Sequence, residues 1–376
     1  MASASIKQLK NLENKDILVR CDFDLPLKGG RVADNARLKR IVPTLKYLLD
    51  KKANLILIGH AGRPGGKFDR SLTLRPVKNE LEKILKKDIK FITIDRYVSK
   101  KLRDKVIHSD SNIIMLENLR FSDRERANCK RLAKNLASLA DIYVNEAFAN
   151  SHRTHASMVA VRSFLPDYIG LNLEREISHL SSVLKKPKKP LVLIIGGAKI
   201  ETKLPVIKSF LSRADSILVG GAVANNFIAA RGLEVGISKI DKAYIKTALR
   251  LFKKNVIIPT DVRTNQMVKS IDSLSRNDAI LDIGPLTEKL FISYIKSART
   301  IIWNGPMGKF EYKKFAQGTK AVANKVLASK ANVVIGGGDT DKVLSGKKIP
   351  ANIFVSSGGG AMLEFLAGKK LPGLKN

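Results

Sequence analysis

The chain has 376 residues, 44% hydrophobic and 27% charged, a composition typical of a globular protein long enough for two separate cores. Two cysteines, Cys21 and Cys129, lie far apart and outside any CxxC spacing, which argues against a disulfide scaffold or a thiolate metal site and suits a reducing compartment. The net charge of +34 is spread along the whole length with few aromatic residues, so it indicates solvated surface lysine rather than a focused nucleic-acid footprint.

Short apolar runs rich in β-branched residues recur in the first half of the chain, and amphipathic stretches lie between them. The predicted strands of this half are Ile17–Arg20, Leu55–Ile58, Ile113–Leu116 and Ile142–Val144. Apolar residues at three- and four-residue spacing predict helices over Leu38–Leu49 and Leu74–Leu85. Continuous apolar strands separated by helices favour a parallel sheet covered on both faces.

A boundary is predicted over residues 171–189. This segment begins as a helix, LNLEREISHLSSVL, and ends in KKPKKP, which stops a helix and precedes a new strand. We therefore predict an N-terminal domain over 1–170, a linking hinge helix over 171–189 and a C-terminal domain over 190–359, with a cleft between the domains. The tail from about 360 to 376 is expected to pack back on the first domain.

The second half repeats the pattern of apolar strands and intervening helices. Its predicted strands are Leu191–Ile195, Ile217–Val219, Val256–Ile258, Ile280–Ile283, Thr300–Trp303, Val333–Ile335 and Ile353–Val355. The predicted fold class is therefore α/β, with two domains that each have a parallel sheet between two layers of helices.

Glycine-rich turns follow several strands of the second half. They are Gly196-Gly197-Ala198-Lys199, Gly220-Gly221, Gly336-Gly337-Gly338-Asp339-Thr340 and Gly358-Gly359-Gly360. Glycines there allow backbone N–H groups to approach a ligand, and a following helix N-terminus favours negative charge. Tight-turn geometry alone explains any one cluster, but four in one domain favour a nucleotide-phosphate surface. Neither GxxxxGK[ST] nor GxGxxG is present, which argues against a P-loop protein and a standard dinucleotide binder.

Charged and basic side chains concentrate after the strands of the first half. They are Arg20, Asp22, Arg37, His60, Arg63, Arg120, His152, Arg153 and His155. A single arginine is commonly part of a salt bridge, but the carboxyl ends of parallel strands share one edge, so these groups are expected to converge. Such convergence predicts a bound polyanion held by guanidinium groups. Taken alone, the stretch NSHRTHAS is compatible with metal ligands, a base and its partner, an anion cradle or a polar interdomain loop.

A series of motifs resembles the ordered signatures of the phosphoglycerate kinase family. They are VRCDFDLPL, Arg37, GHAGRP, LENLRF, NSHRTHAS, GGAKIETK, WNGPMGKFE, GGGDT and SSGGGAMLEFLAGKKLPG, from about residue 17 to 373. The resemblance implies two Rossmann-like domains, the first holding 3-phosphoglycerate and the second holding ATP or ADP with Mg²⁺. It also implies reversible phosphoryl transfer to a carboxyl group in glycolysis, with closure on the hinge.

The resemblance carries specific residues into each site. On the phosphoglycerate side it implies Asp22, Phe23, Asp24, Arg37, His60, Ala61, Gly62, Arg63, Arg120, His152, Arg153 and His155. On the nucleotide side it implies Gly197, Lys199, Lys203, Gly221, Asn304, Glu311, Gly336, Gly337, Gly338, Asp339 and Thr340.

Roles follow from the same resemblance. Arg37 and Lys203 would be catalytic, with helix N-termini near Gly337 and Gly359 stabilising the transition state, and Asp339 would contact Mg²⁺ through the nucleotide. The resemblance implies that NSHRTHAS is an anion cradle in which Arg153 binds the substrate phosphate. No stoichiometric transition metal is therefore expected. Transfer between two phosphate-bearing substrates needs alignment, water exclusion and positive charge rather than a nucleophilic side chain.

Three departures from the family pattern qualify this assignment. Asp24 stands where the family usually has Asn, which affects the hydrogen bonding of the substrate. Residues 220–227, GGAVANNF, differ from the usual triple-glycine stretch, which affects the contacts of the nucleotide base. The stretch before Thr300–Trp303 is short for the family, which indicates trimmed loops.

The sequence disfavours two other classes of function. A nicotinamide-dependent dehydrogenase is disfavoured because GxGxxG is absent, and a nucleic-acid binder without catalysis is disfavoured because Arg37, Lys203 and Asp339 are all present. No run reaches the apolar length needed to span a bilayer, and the N-terminal residues have no apolar signal region. We expect a cytoplasmic monomer that binds 3-phosphoglycerate and ATP, with no membrane and no specific nucleic acid as partner.

Overall fold

The chain folds into two compact α/β units. The computed structural model describes residues 4–95 and 98–374. The first unit runs to Ile177 and takes in the tail from Lys370, and the second comprises Ser178–Lys369. No helix among the described residues has the length and apolar character that a transmembrane segment requires.

The described residues of the first unit form nine strands and six α-helices. The strands are β1 (Ala4–Ser5), β2 (Asp16–Arg20), β3 (Leu27–Lys28), β4 (Arg31–Val32), β5 (Asn54–Ile58), β6 (Lys90–Ile92), β7 (Ile113–Leu116), β8 (Ile142–Asn145) and β9 (Asp167–Ile169). The helices are α1 (Ala36–Asp50), α2 (Arg75–Leu85), α3 (Lys100–Ile107), α4 (Asp123–Arg126), α5 (Lys130–Ala137) and α6 (Leu171–Lys185), which continues into the second unit.

The main sheet of the first unit is parallel, in the order β1-β9-β8-β2-β5-β7-β6. Successive side chains of a strand point to opposite faces. Accordingly Ile17 and Val19 are buried in one apolar cluster with residues of α1 and α2, and Leu18 is buried in another with residues of α3 and α5. Helices therefore cover both faces, and the carboxyl ends of the strands form one shared edge.

The second unit contains nine further strands and seven helices. The strands are β10 (Leu191–Ile195), β11 (Ser216–Val219), β12 (Val256–Ile257), β13 (Asp261–Thr264), β14 (Val268–Ser270), β15 (Ile280–Ile283), β16 (Thr300–Asn304), β17 (Asn332–Gly336) and β18 (Ile353–Ser356). The helices are α7 (Ile200–Phe210), α8 (Gly221–Ala230), α9 (Ile245–Leu251), α10 (Pro285–Ser297), α11 (Gln317–Leu327), α12 (Gly338–Leu344) and α13 (Gly359–Leu366).

Six of these strands form a parallel sheet in the order β12-β11-β10-β16-β17-β18. Val192 and Ile194 face a cluster with residues of α10 and α11, and the buried Leu193 and Ile195 alternate with them toward the other face. The predicted class, two α/β units built on parallel sheets, is confirmed by this architecture.

One predicted strand lies in a different sheet from the one expected. The strand over Ile280–Ile283 forms as β15, but it pairs antiparallel with β13 in a small sheet of order β14-β13-β15. The expectation of a parallel partner was wrong because a short apolar run does not reveal the direction of its neighbour. The short strands β1, β6 and β9 were missed because they have too few apolar residues to show a period.

The observed division differs from the predicted boundaries of 170, 189 and about 360. The chain divides within α6, between Ile177 and Ser178, and the tail that belongs to the first unit begins at Lys370. Helix α13 stays in the second unit, where Ser209 Oγ donates to the carbonyl of Leu366 at 3.2 Å. The tail is tied to the first unit by Gly373, whose carbonyl accepts from Asn145 Nδ2 at 2.9 Å. Residues 1–3, 96, 97, 375 and 376 of the predicted ranges lie outside the described residues.

Candidate active site

An ion pair lies at the carboxyl edge of the first sheet, where β2 ends and α1 begins. Arg37 Nη1 donates to Asp22 Oδ2 at 3.2 Å and to the carbonyl of Asp24 at 3.1 Å. Burial raises the pKa of Asp22, and the charge of Arg37 opposes that rise. Arg37 is only partly buried, so its planar fork of donors also reaches solvent at this edge.

A second set of contacts joins the segments that follow β2, β5 and β7. Asp24 Oδ1 accepts from the amide of Gly62 at 2.9 Å, and Arg120 Nη1 donates to the carbonyl of Gly62 at 2.6 Å. The carboxylate that replaces the usual amide at position 24 therefore has a backbone donor of its own. Three chain segments distant in sequence meet at Gly62.

The two buried histidines of this edge are neutral. Burial lowers the pKa of His155 to about 3, and the charges of Arg120, Arg20 and Arg153 add to the effect. His155 Nδ1 lies 3.7 Å from Glu125 Oε1, and because the ring is neutral this contact is not an ion pair. The ring of His60 lies edge-on to that of His155, with 6.4 Å between centroids.

The arginines of this edge act on one another. Burial lowers the pKa of Arg120 to about 10, and the charge of Arg153 is the next largest cause. Burial also lowers the pKa of Arg153, and the charge of Arg63 adds to this. Like charges that disfavour each other create an electrostatic cost that a bound anion offsets.

Several other residues predicted for this site are buried to different degrees and do not all present a side chain at the edge. The ring of Phe23 is fully buried in the core, and a Cβ on Gly59 would overlap it, so only the backbone of Phe23 can reach a ligand. Ala61 is also buried, and its carbonyl accepts from Asn118 Nδ2 at 2.8 Å. His152 is partly buried beside Arg153. Within residues 4–95 and 98–374, no group of three or more His, Cys, Asp or Glu side chains is arranged to hold a metal ion.

Three loops of the second unit pack against one another at the carboxyl edge of its parallel sheet. The amide of Gly197 donates to the carbonyl of Pro306 at 2.8 Å, and the amide of Gly221 donates to the carbonyl of Met307 at 2.8 Å. Both N–H groups are thus used in contacts between the loops, while the two glycines also line the pocket beside them. Gly221 has φ +59°, and an added Cβ would lie 2.7 Å from the amide nitrogen of Gly197, so glycine permits the close approach.

A buried lysine crosses from α7 to this edge. Lys203 Nζ donates to Asn304 Oδ1, and Asn304 Nδ2 donates to the carbonyl of Gly336 at 2.6 Å. Burial lowers the pKa of Lys203 to about 8, while the charge of Asp339 opposes the shift. Thr340 is buried, and its Oγ1 accepts from the amide of Gly305, the residue that follows β16, at 2.9 Å. The predicted motif residues are thus linked to one another.

The starts of α12 and α13 meet closely. A Cβ on Gly359 would lie 2.8 Å from Cα of Gly337, which itself has φ +118°. Asp339 follows on the first turn of α12 with 58% of its side chain exposed, and it pairs with Lys342 at 3.2 Å. Lys199 is exposed just before α7. The contact with Lys342 leaves the Asp339 carboxylate exposed to solvent.

A pocket of about 450 Å³ lies beside these loops and has mostly apolar walls. Its lining includes Gly197, Ala198, Gly221, Ala222, Ile237, Ser238, Leu281, Pro306, Phe310, Glu311 and Asp339. Sequence reasoning missed the wall formed by residues 237–239 and 279–283, because no glycine turn marks it. An apolar cavity with a few polar groups at its rim is the usual form of a ligand site.

The asparagines that depart from the family pattern support this wall. Asn225 Nδ2 donates to the carbonyl of Lys239 at 3.1 Å, and Asn226 Nδ2 donates to the carbonyl of Asp241 at 2.7 Å. Both side chains are buried in α8. They therefore fix the segment that borders the pocket and do not line it themselves.

A buried carboxyl group, Asp282, lies in the same wall and was not predicted. It accepts from the amide of Gly318 at 2.8 Å and from that of Ile283 at 3.0 Å. Burial raises the pKa of Asp282 to about 7, although both hydrogen bonds and the charge of Arg263 oppose the rise. Asp282 thus joins β15 to the first turn of α11 beneath the pocket.

One unit thus presents converging guanidinium groups, and the other presents an apolar pocket edged by glycine loops, a buried lysine and an exposed carboxylate. This combination defines an α/β enzyme that acts on anionic, phosphate-bearing substrates. A model of the phosphoglycerate kinase family matches residues 6–369.

Curated relatives and solved structures agree with that match. The chain is 40% identical over 371 residues to a phosphoglycerate kinase of Finegoldia magna, covering 93% of this chain and 92% of the relative. It is 38% identical over 354 residues to that of Borreliella afzelii, covering 90% of each. The structure of phosphoglycerate kinase from Coxiella burnetii superimposes with a TM-score of 0.85 at 34% identity, covering 99% of this chain and 97% of that one. The crystal structure of the Pyrococcus horikoshii enzyme gives a TM-score of 0.86 at 31% identity, with 98% and 97% covered.

The chain belongs to the phosphoglycerate kinase family. It is a kinase, a transferase of glycolysis, and the predicted family and function are confirmed.

Proposed function

We propose that the first unit binds 3-phosphoglycerate at the carboxyl edge of its sheet and that the second unit binds ATP or ADP with Mg²⁺ in the pocket of about 450 Å³. The phosphoglycerate ligands are those expected from the motifs, with Phe23 and Ala61 contributing backbone groups. The nucleotide ligands are the predicted glycine-loop residues together with Lys199, Lys203, Asn304, Glu311, Asp339 and Thr340.

The observation that carries this assignment is the mutual effect of the arginines in the first unit. Burial and the neighbouring cation together lower the pKa of Arg120 to about 10. Burial is the largest cause of this shift, and the charges of Arg153 and Arg20 add to it, so positive charges lie close together at this edge. A substrate that carries both a phosphate and a carboxylate offsets that repulsion and accepts forked hydrogen bonds.

Arg37 is the group of the first unit best suited to act on the transferring phosphoryl. Its contacts with Asp22 and the Asp24 carbonyl fix the guanidinium at the start of α1 and leave part of it exposed. A positive charge held in place beforehand stabilises a transition state without the cost of reorganisation. The carboxylate of 3-phosphoglycerate is itself the nucleophile, so the neutral His60 and His155 bind and orient the substrate rather than remove a proton.

Lys203 is the corresponding group of the second unit. Its bond to Asn304 holds the ammonium in place, and burial makes the charge costly until a phosphate approaches. A polyphosphate ligand therefore favours the protonated lysine and is favoured by it.

The residues present are suited to Mg²⁺ brought by the nucleotide. Mg²⁺ is commonly held by one or two carboxylates plus substrate phosphates rather than by an all-protein cage. Asp339 offers one exposed carboxylate at the rim of the pocket, which matches that donor set. When bound, the ion would neutralise charge on the phosphates, and Asp339 would hold it.

Direct transfer requires the two substrates to meet, and each is assigned to a different unit. We therefore propose that the units close only when both ligands are bound, which excludes water from the reaction.

The test is the affinity for 3-phosphoglycerate of the full chain with Arg153→Met, measured by calorimetry. We expect the Kd to rise at least about thirtyfold because a charge-assisted contact is lost, while the Kd for ATP stays within about twofold. Arg103→Met, on the exposed face of α3, removes the same charge and should change neither value. An unchanged Kd for 3-phosphoglycerate in Arg153→Met would refute the assignment.

The remaining expectations are proposals of the same kind. We propose a cytoplasmic monomer with no specific nucleic-acid partner, because glycolytic chemistry uses small substrates and the excess lysine is dispersed along the sequence. Sedimentation at several concentrations tests the monomer. Binding to DNA of one particular sequence that persists at about 0.2 M salt would contradict the absence of a specific nucleic-acid partner.

A further inference from the structure

A buried arginine that lies beneath the proposed phosphoglycerate site has no role in the mechanism above. Arg20 is the last residue of β2, and 0% of its surface is exposed. Its Nε donates to Ser157 Oγ at 2.9 Å, and its Nη1 donates to the carbonyl of Cys21. Its Nη2 lies 2.6 Å from Nδ1 of His60, which is 1% exposed. Arg20 thus lies behind the ring of His60, out of reach of solvent.

The chemistry of this contact decides where His60 carries its proton. A guanidinium group has N–H donors and no acceptor, and it stays charged in proteins. Nδ1 of His60 must therefore accept, which leaves the ring proton on Nε2. A doubly protonated ring would direct an N–H at the guanidinium, so the contact excludes the imidazolium form.

The surroundings of the ring act in the same direction. Burial lowers the pKa of His60 well below its usual value, and the charges of Arg20, Arg120, His155 and Arg153 add to this shift in that order. These groups reach the ring from β2, from the turn after β7 and from the segment after β8. The ring therefore stays neutral over the physiological pH range.

The charge of Arg20 is itself compensated from behind. Ser157 Oγ donates to Glu125 Oε1 at 2.6 Å, and the Ser157 amide donates to Glu125 Oε2 at 3.0 Å. Glu125 is fully buried in α4. The hydroxyl of Ser157 accepts from Arg20 and donates to Glu125, so one continuous chain of hydrogen bonds runs from α4 to His60.

We propose that Arg20 is a positioning residue that fixes His60 as a neutral donor at Nε2, and that His60 in this form donates to 3-phosphoglycerate. Arg20 does not touch the substrate. The inference rests on the proposed function for the place of His60 in the site. It predicts that binding of 3-phosphoglycerate shows no titration of His60, because the donor is present at every pH at which the chain is folded.

The direct test is nitrogen-15 NMR of the histidine rings in the unaltered full chain, with His60 assigned by comparison with His60→Ala. We expect ring shifts of the Nε2–H tautomer with no change from about pH 5.5 to pH 8. An Nδ1–H tautomer or a protonated ring would overturn the proposal without any substitution of Arg20.

The second test is Arg20→Lys, which retains a positive charge beside the Ser157–Glu125 pair but loses the planar fork. We expect a folded protein in which the ring shifts of His60 move toward a mixture of tautomers. The KM for 3-phosphoglycerate should rise about tenfold, with the KM for ATP unchanged and kcat altered less than threefold. Unchanged ring shifts together with an unchanged KM for 3-phosphoglycerate would refute the positioning role.

A third measurement separates failure of this inference from failure of the proposed function. His60→Ala should raise the KM for 3-phosphoglycerate at least as much as Arg20→Lys does. If His60→Ala leaves that KM unchanged while the unaltered chain shows the Nε2–H tautomer, His60 is locked but lies outside the substrate site, and the functional part of the proposal fails.

Discussion

Each unit has a candidate site at the carboxyl edge of a parallel sheet, but the two edges carry different side chains and loops. The first unit fills the carboxyl edge with long cationic side chains that are partly buried and crowd one another, as the lowered pKa of Arg120, about 10, shows. The second unit uses glycines to bring three loops together around an apolar pocket, with Lys203 as a buried cation. The first arrangement suits a small rigid anion, and the second suits a ligand with a flat apolar part and a charged tail.

The difference shows that a sheet edge provides a location and the loops decide the chemistry. In the first unit the amide of Gly62 is bonded to the Asp24 side chain, so side chains organise the loops. In the second unit the amides of Gly197 and Gly221 are bonded to carbonyls, so the backbone organises the loops. The predictions below test this contrast, from the largest expected effect to the smallest.

The contrast predicts that, in the first unit, kcat depends most strongly on a charged side chain. Arg37→Ala should lower kcat by about 100- to 1,000-fold and raise the KM for 3-phosphoglycerate far less, because a charge aimed at the moving phosphoryl acts in the transition state. Steady-state kinetics at saturating ATP measure both constants. Arg103→Ala serves as the control, and a near-normal kcat in Arg37→Ala would remove this residue from the catalytic role.

The second unit should be most sensitive at a glycine. Gly221→Ala places a Cβ 2.7 Å from the Gly197 amide nitrogen and 2.9 Å from the Pro306 carbonyl oxygen, at φ +59°. We expect a loss of about 2–4 kcal/mol in the stability of this unit and weaker ATP binding, with the Kd for 3-phosphoglycerate unchanged.

Gly232→Ala is the matched control for Gly221→Ala. It has φ +79° but nothing within 4 Å of an added Cβ, so it reports the backbone cost without the loop contact. If the two substitutions weaken ATP binding equally, close packing of the loops is not what shapes the pocket. Calorimetric titration with ATP measures the comparison.

A buried carboxyl group makes the stability of the second unit dependent on pH. Burial raises the pKa of Asp282 to about 7 from its ordinary value of 3.8, so the folded state holds a proton that the unfolded state has released. Stability should therefore be complete below the unfolded pKa and should fall as the pH rises, by up to about 2.7 kcal/mol between pH 5 and pH 7.

Urea unfolding followed by fluorescence measures this dependence, because the single tryptophan, Trp303, is buried in the second unit. Asp282→Asn should be less stable than the natural chain at pH 5, because one amide donor is left facing an NH₂ group, and its stability should be flatter with pH. An equal slope in both proteins between pH 5 and pH 7 would show that Asp282 does not titrate there.

The buried lysine gives the proposed nucleotide site a pH dependence in the same direction, in ATP affinity rather than in stability. Burial lowers the pKa of Lys203 to about 8, so binding of a polyphosphate above that pH requires uptake of a proton. We expect the Kd for ATP at fixed Mg²⁺ to rise by up to about tenfold per pH unit above pH 8, and Lys203→Arg to remove the dependence. A flat profile in the natural chain would mean that Lys203 does not contact the phosphates.

The smallest effect is expected at the carboxylate that departs from the family pattern. Asp24→Asn keeps an oxygen to accept from the Gly62 amide at 2.9 Å and removes a negative charge from the substrate site. The KM for 3-phosphoglycerate should fall by up to about tenfold with little change in kcat. A clearly raised KM would show that the carboxylate organises the arginines instead of repelling the substrate.

Much of the first site was predictable because its side chains follow strands. Arg20 ends a buried strand, and His60 and Arg120 follow the ends of two others within four residues; parallel strands bring those ends to one edge. The wall of the second site was not predictable in this way. Residues 237–239 border the pocket, and hydrogen bonds from Asn225 and Asn226 hold this segment in place. The carbonyls that accept these bonds lie 14 and 15 residues further along the chain and follow no period.

The sequence by itself determined the periodic elements, the parallel sheets and the edge at which each charged or glycine-rich segment lies. It did so because burial on one or both faces imposes a spacing that is visible in a single chain. The tertiary structure alone decided which groups face inward. Arg20 meets His60 across 40 residues and Ser157 across 137, and β15 pairs with β13 rather than with the main sheet. Such contacts depend on the three-dimensional position of a partner distant in sequence, which local spacing does not record.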